Sequence, residues 1–272
     1  MNETPLTAAY KKGNKKIVQS LLYKGAEVNQ VNGMRDTLLT AACERGNEKI
    51  IQLLIDTECN INQTGNMEFT PLTAACKSGN EKIVKLLIAT GCDINQTANM
   101  PFTPLTTACK GGNEKIVKLL LDTGYDINQT ANMAFTSLIV ACEEEMRRYR
   151  LKGGNEKIVK ILIHKGYDVN KVDGMGQTSL TAACSSGNDK IVNLLIYNGS
   201  DINQIDEMNE TPLTAVFKKG NKKIVQSLLY KGAEVNQVNG MNETSLTAAF
   251  KGRNKDIVQL LMDKGCDCWW LD

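Results

Sequence analysis

Apolar residues return along the chain in two alternating groupings, a short segment of small residues and a longer stripe of branched aliphatics. Residues 70–100, TPLTAACKSGNEKIVKLLIATGCDINQTANM, show both. Thr70 is an N-cap hydroxyl, and Pro71 stands at the first helical position, where its missing N–H costs nothing. A short helix from Leu72 to about Lys77 is predicted to stop at Gly79, which accepts the positive φ of a helix end. Asn80 then caps a second helix, whose buried stripe is Ile83, Val84, Leu86, Leu87 and Ile88 and which Gly91 terminates. Beyond it, turn pairs such as Asn32-Gly33, Asp173-Gly174 and Asn239-Gly240 predict a tight, hairpin-like finger.

This module recurs. Aligned on the capping threonine, the copies start at Thr4, Thr37, Thr70, Thr103, Thr136, Thr178, Thr211 and Thr244, with steps of 33 residues except for one of 42. The copies run approximately over 1–34, 35–67, 68–100, 101–133, 134–175, 176–208, 209–241 and 242–272, and are expected to form one domain. Residues 2–34 and 209–241 agree at 31 of 33 positions, differing only as Ala9/Val216 and Tyr10/Phe217. A helix-turn-helix-finger repeat cannot bury its apolar faces alone, so stacking on its neighbours is its common task.

The long step comes from nine extra residues, 143–151, between the two helices of the fifth copy. Extending the first helix through all nine would move its end about 13.5 Å, too far for the three residues 152–154 to return. The expected path adds about one helical turn, supported by Glu143–Arg147 and Glu144–Arg148 pairs at i,i+4, and returns through Arg148 to Leu151. Its role is read as either a tolerated insertion in a loop or a protruding Arg-Tyr-Arg knuckle that adds partner contacts.

Composition removes several function classes. A net charge of +2 over 272 residues gives no basis for nucleic-acid or anionic-membrane binding, no apolar run is long enough to span a membrane, and no signal-peptide pattern opens the chain. Nine cysteines without tight clustering do not form a secreted disulfide framework, so an intracellular, cytoplasmic setting is expected. Lys16, Lys49, Lys82, Lys115, Lys157, Lys190 and Lys223 open the second helices but are offset by neighbouring acids, which predicts a solvated face.

Period, Thr-Pro-Leu, Gly-Asn, Ile-Val-x-x-Leu-Leu and Gly-x-Asp-x-Asn together resemble the ankyrin repeat. The resemblance implies an all-α fold with short β-hairpin-like fingers, a solenoid of eight stacked helix-turn-helix units. It also implies a non-catalytic protein-protein interaction module that grips a protein or peptide on a concave face made by fingers and first helices. A structural spacer or self-associating array is the alternative. One departure is systematic: threonine replaces the family's histidine at Thr7, Thr40, Thr73, Thr106, Thr181, Thr214 and Thr247, and Ile139 does so in the fifth copy. The hydrogen bonds of that histidine must be remade by a hydroxyl or lost.

On the implied face, methionine recurs at the finger tips, at Met34, Met67, Met100, Met133, Met175, Met208 and Met241, to pack between fingers or adapt to a partner. Two residues on, most copies carry an acid or Gln177, but three consecutive copies carry Phe69, Phe102 and Phe135. These rings either pack locally or form an apolar stripe about 20 Å long. The candidate partner-binding residues are therefore Met67, Phe69, Met100, Phe102, Met133 and Phe135, with Arg147, Arg148, Tyr149 and Arg150 of the insertion.

Catalytic and metal chemistry have little to stand on. Cys43, Cys76, Cys109, Cys142 and Cys184 share one first-helix slot with Tyr10, Phe217 and Phe250, and Cys59, Cys92 and Cys266 share a later slot with Ala26, Tyr125 and Ser200. Such interchange indicates packing rather than ligation. Cys266-x-Cys268 lacks a second ligand pair. His164, the single histidine, falls on a surface position, and six Asn-x-Thr sequons follow from the finger pattern alone. No metal, cofactor or catalytic residue is expected. The near-identity of the first copy to the internal seventh suggests a segment of a longer array, or a first repeat that frays or self-associates; Trp269 and Trp270 either cover the last repeat or mark an interface.

Overall fold

Every first helix begins at a threonine hydroxyl that accepts the backbone N–H three residues on, at 3.0–3.2 Å in all eight repeats. This bond satisfies one of the orphan donors of a helix start and so sets where each helix can begin. The computed structural model describes residues 4–31, 37–64, 69–97, 102–127, 136–143, 155–207, 210–218, 220–239 and 243–266. The first helices are α1 (Pro5–Lys11), α3 (Leu38–Glu44), α5 (Pro71–Ser78), α7 (Pro104–Lys110), α9 (Ser137–Cys142), α11 (Ser179–Ser186), α13 (Pro212–Ala215) and α15 (Ser245–Lys251). A 3-10 turn, Val216–Lys218, prolongs α13. The second helices are α2 (Lys15–Tyr23), α4 (Glu48–Asp56), α6 (Glu81–Ala89), α8 (Glu114–Asp122), α10 (Glu156–His164), α12 (Asp189–Tyr197), α14 (Lys222–Tyr230) and α16 (Lys255–Met262). Asn80 and its equivalents cap them, except that the Asn113 side chain makes no capping bond to α8.

The chain forms two compact units, Met1–Ala134 and Phe135–Asp272, each holding four helix pairs. In the first unit α5 packs between α3 and α7, and α6 between α4 and α8; in the second, α11 packs between α9 and α13, and α12 between α10 and α14. The core of each is assembled from the same columns. Ile83, Val84 and Leu87 of α6, and Ile191, Val192 and Leu195 of α12, are fully buried, as are Leu72, Ala75 and Cys76 of α5, which packs against α6. Side-chain amides stitch one repeat to the next: Asn62 Oδ1 accepts from Asp93 N at 2.8 Å, Asn95 from Asp126 N at 3.0 Å, Asn170 from Asp201 N at 2.8 Å.

The threonine in the histidine slot remakes a hydrogen bond. Its hydroxyl lies 2.8–3.2 Å from the capping hydroxyl in seven repeats, Thr4–Thr7 through Thr244–Thr247. Among the described residues β structure is confined to two isolated bridges, Val31 with Thr37 and Val238 with Thr244, at finger bases. Among the described residues, three fingers are braced by a carboxylate or amide. Asp173 Oδ1 accepts from Met175 N and Gln177 N at 2.9 Å, Asp206 Oδ1 from Glu210 N at 2.7 Å, and Asn239 Oδ1 from Glu243 N at 2.9 Å. Gly65, Ala98 and Ala131 stand at that position in the three phenylalanine fingers and cannot supply the brace.

The insertion departs from expectation. α9 does not continue past Cys142, because Glu143 has the extended backbone φ −71°, ψ 130°. Residues 144–154, including Glu144, Arg147 and Arg148 of the expected pairs, lie outside the described residues. A few tenths of a kcal/mol per surface ion pair is too little to impose helix where the chain must turn back. It does turn back, because Asn155 N donates to Ala141 O at 3.1 Å. The same bond closes the helix-helix turn elsewhere, Asn113 N to Ala108 O at 3.0 Å and Asn188 N to Ala183 O at 3.3 Å.

Glu58 and Arg253, standing where the other repeats use glycine, both hold φ at 55°. A non-glycine residue there is strained by about 1 kcal/mol. Glu58→Gly is therefore expected to raise the thermal melting temperature, and an unchanged or lower value would remove strain as the explanation.

Candidate functional site: finger aromatics and the lysines that roof them

Phe69 and Phe102 immediately precede the capping threonines of α5 and α7, so the cap geometry holds both rings beside the start of their own first helix. Both are half-buried. The lysine eight residues on, at the end of the same helix, returns over the ring: Lys77 Nζ lies 4.7 Å from the Phe69 centroid and Lys110 Nζ 4.3 Å from that of Phe102. A desolvated ring face attracts a cation through its quadrupole. Lys77 also donates to Glu44 of the preceding repeat at 2.7 Å. One repeat further towards the N-terminus, Arg45 stands 5.4 Å from the Tyr10 centroid, and Tyr10 Oη donates to Ala41 O at 2.9 Å. Burial pushes the Tyr10 phenol up to about 12.

The eighth repeat fills the same geometry with different chemistry. There Glu243 precedes the cap and Lys251 stands eight residues on, and the two form an ion pair. The hydrogen bond from Lys251 holds the Glu243 carboxyl below its ordinary range. One lysine position thus has two holders: a glutamate in the eighth repeat, and a phenylalanine ring in the third and fourth.

Of the sequence-predicted site residues, the structure describes Phe69 and Phe102, one in each of two adjacent repeats and each against its own lysine. Met67, Met100, Met133, Phe135, Arg147, Arg148, Tyr149 and Arg150 lie outside the described residues. Met175, the one described tip methionine, is 56% exposed rather than packed between fingers. The roofing lysines were missed by sequence reasoning, although the eight-residue spacing of Phe69/Lys77, Phe102/Lys110 and Glu243/Lys251 was readable.

Thiol and imidazole chemistry finds no support. Cys43, Cys76, Cys109, Cys142 and Cys184 are buried in their common slot, and among the described residues neither they nor Cys59, Cys92 and Cys266 form a disulfide. Burial pushes the Cys59 and Cys92 thiols up to about 11 and also raises those of Cys43, Cys76, Cys109 and Cys184, so these six stay protonated at neutral pH. Cys268 lies outside the described residues; His164 is exposed at the end of α10. Among the described residues no three His, Cys, Asp or Glu side chains gather to hold a metal ion. Second-helix lysines meet acids, as in Lys85–Glu81 at 2.5 Å, Lys115–Glu81 at 3.8 Å and Lys190–Glu156 at 3.9 Å. No described helix is long and apolar enough to cross a membrane.

A family model described as ankyrin repeats (3 copies) matches residues 6–98, 97–173, 149–206 and 182–270. No curated protein matches the chain. Ankyrin repeats are generally protein-protein interaction modules and typically non-catalytic. With matches that overlap from residue 6 to residue 270, on a stack of threonine-capped helix pairs, the chain belongs to the ankyrin-repeat family.

Proposed function

We propose that this chain is a non-catalytic binding module that seats a protein or peptide on the face made by the fingers and first helices, with Phe69 and Phe102 as anchors. The observation that carries this reading is the placement of two half-buried rings, each beneath a lysine ammonium, on adjacent repeats of one unit. Aromatic side chains with a preorganised polar neighbour are typical energetic anchors of interfaces. Ordinary packing does not call for a phenylalanine here, since Glu243 occupies the same position in the eighth repeat without loss of fold. The test is the double substitution Phe69→Ser/Phe102→Ser, read by affinity capture from the native cell and by circular dichroism. Partners captured by the parent chain should be lost by more than about tenfold while the helical spectrum and the cooperative melt persist. Capture that survives the substitutions would move the binding face elsewhere. Loss of folding would make the rings structural, as in a spacer.

A further inference from the structure

We infer that copies of this chain stack head to tail, the outer side of the eighth repeat of one copy seated on the outer side of the first repeat of the next. Two neighbouring aliphatics in each second helix show which way each side chain faces. In the six intermediate repeats both, from Ile50 and Ile51 to Ile224 and Val225, are at most 1% exposed. In the first repeat Val18 stays at 1% while Ile17 rises to 47%. In the eighth the pattern reverses: Ile257 is fully buried and Val258 only half-buried. The first member of each pair therefore faces the preceding repeat, and the second faces the following one.

The seventh repeat shows what fits the outer side of the first. Pro5 is exposed and Ala8 and Leu21 are half-buried, whereas their counterparts Pro212, Ala215 and Leu228 are buried. The sixth repeat covers the latter, with α11 packed on α13 and α12 on α14. The first and seventh repeats differ at only two positions, and none of these residues is among them. Tyr23 and Tyr230 mark the limit of the covered side, because they are 94% and 85% exposed whether or not a repeat precedes them. The occupant that matches is thus the following-facing side of another helix pair of this kind, so the contact continues the stacking interface already present within the chain. The eighth repeat presents that side, with Val258, Phe250 and Met262 reaching solvent. Phe250 stands in the slot from which Tyr10 Oη reaches Ala41 O of the following repeat. Phe217, in the same slot of the seventh repeat, is half-buried with the eighth repeat behind it, so a following repeat accommodates an aromatic ring there.

Charge gives the junction a signature. Within the stack, Glu81 meets Lys115 and Glu156 meets Lys190 of the following repeat at 3.8 and 3.9 Å. Lys255 holds the place of that glutamate in the eighth repeat, and head-to-tail stacking brings it opposite Lys16. Exposed charges contribute little and are screened by salt, while apolar burial is not weakened by it. Association should therefore strengthen as salt is raised. The contact lies in the first and eighth repeats and uses neither Phe69 nor Phe102, so it stands apart from the partner-binding reading.

Sedimentation equilibrium of the full chain provides the test. The average mass should climb with concentration, and climb further when sodium chloride is added. Ile17→Glu and, separately, Phe250→Glu should each raise the concentration needed for association by more than about tenfold, with the helical circular dichroism spectrum retained. Ile17→Gln or Phe250→Gln takes the place of either variant that fails to fold. Each variant keeps one side intact, so mixing the two should restore a contact that stops at a one-to-one pair. Tyr23→Glu and Phe69→Ser/Phe102→Ser should associate as the parent does. A chain that stays monomeric at every concentration overturns the inference, as does association that weakens with salt. Undiminished association of Phe250→Glu would assign the contact to two first repeats and overturn the head-to-tail arrangement. Mixed variants that remain single, or a loss with Tyr23→Glu equal to that with Ile17→Glu, would do so too.

Discussion

Replacing Ile224 with alanine is expected to destabilise its repeat by about 2–5 kcal/mol, while the same change at Ile17 costs less than about 1 kcal/mol. The two residues occupy the same place in copies that differ at only two of 33 positions. Local sequence therefore cannot separate them. Their surroundings do: Ile224 is 1% exposed and Ile17 is 47% exposed. α14 lies between α12 and α16, which cover the aliphatic stripe from both sides. Truncation at Ile224 removes buried methyl groups and leaves a cavity; truncation at Ile17 removes groups that water already reaches. Hydrogen exchange resolved by repeat is the suitable readout, because a repeat array need not unfold as one cooperative block. Equal losses at both positions would show that each repeat buries its stripe by itself and that stacking is not what stabilises it.

Thr106→Val should cost about 1–3 kcal/mol, although valine nearly matches threonine in shape. Thr103 and Thr106 are both fully buried. Thr103 N donates to Thr106 Oγ1 at 2.7 Å, and Thr106 Oγ1 in turn donates to Thr103 O at 3.0 Å. Valine fills the space but leaves that N–H without its acceptor in a dry environment. Denaturant unfolding of the two chains measures the difference. A neutral result would show that the hydroxyl exchange is dispensable here; the fifth repeat keeps its first helix with Ile139 in the same slot.

Much of this architecture was readable from single residues because each acts locally. A threonine before Pro-Leu can cap only a helix that starts there, and an Asn before Ile-Val only the next one. Glu58 and Arg253 were legible as strained because six or more glycines at the same place showed that positive φ was required. The cysteine slots were legible by interchange with other packing residues. The features that escaped depend on side chains meeting after folding. The lysine roofs over Phe69 and Phe102 join residues eight apart across a cap and a helix, a spacing that no single-element periodicity marks. The brace at Asp173, Asp206 and Asn239, and its absence by sequence from the phenylalanine fingers, needed the finger geometry to acquire meaning. The expected continuation of α9 past Cys142 stops at Glu143, whose backbone is extended, and the expected charge pairs lie outside the described residues.

The bond from Asn155 N to Ala141 O separates two kinds of inheritance. Ala141 and Asn155 are joined as their counterparts are in repeats with no insertion, so the helices on either side receive the same boundary whatever lies between. Length and composition of the intervening segment can then drift without being answerable to the stack. The fifth repeat thus contains a stretch whose length the array does not fix, while the residues that flank it remain under the discipline of the array.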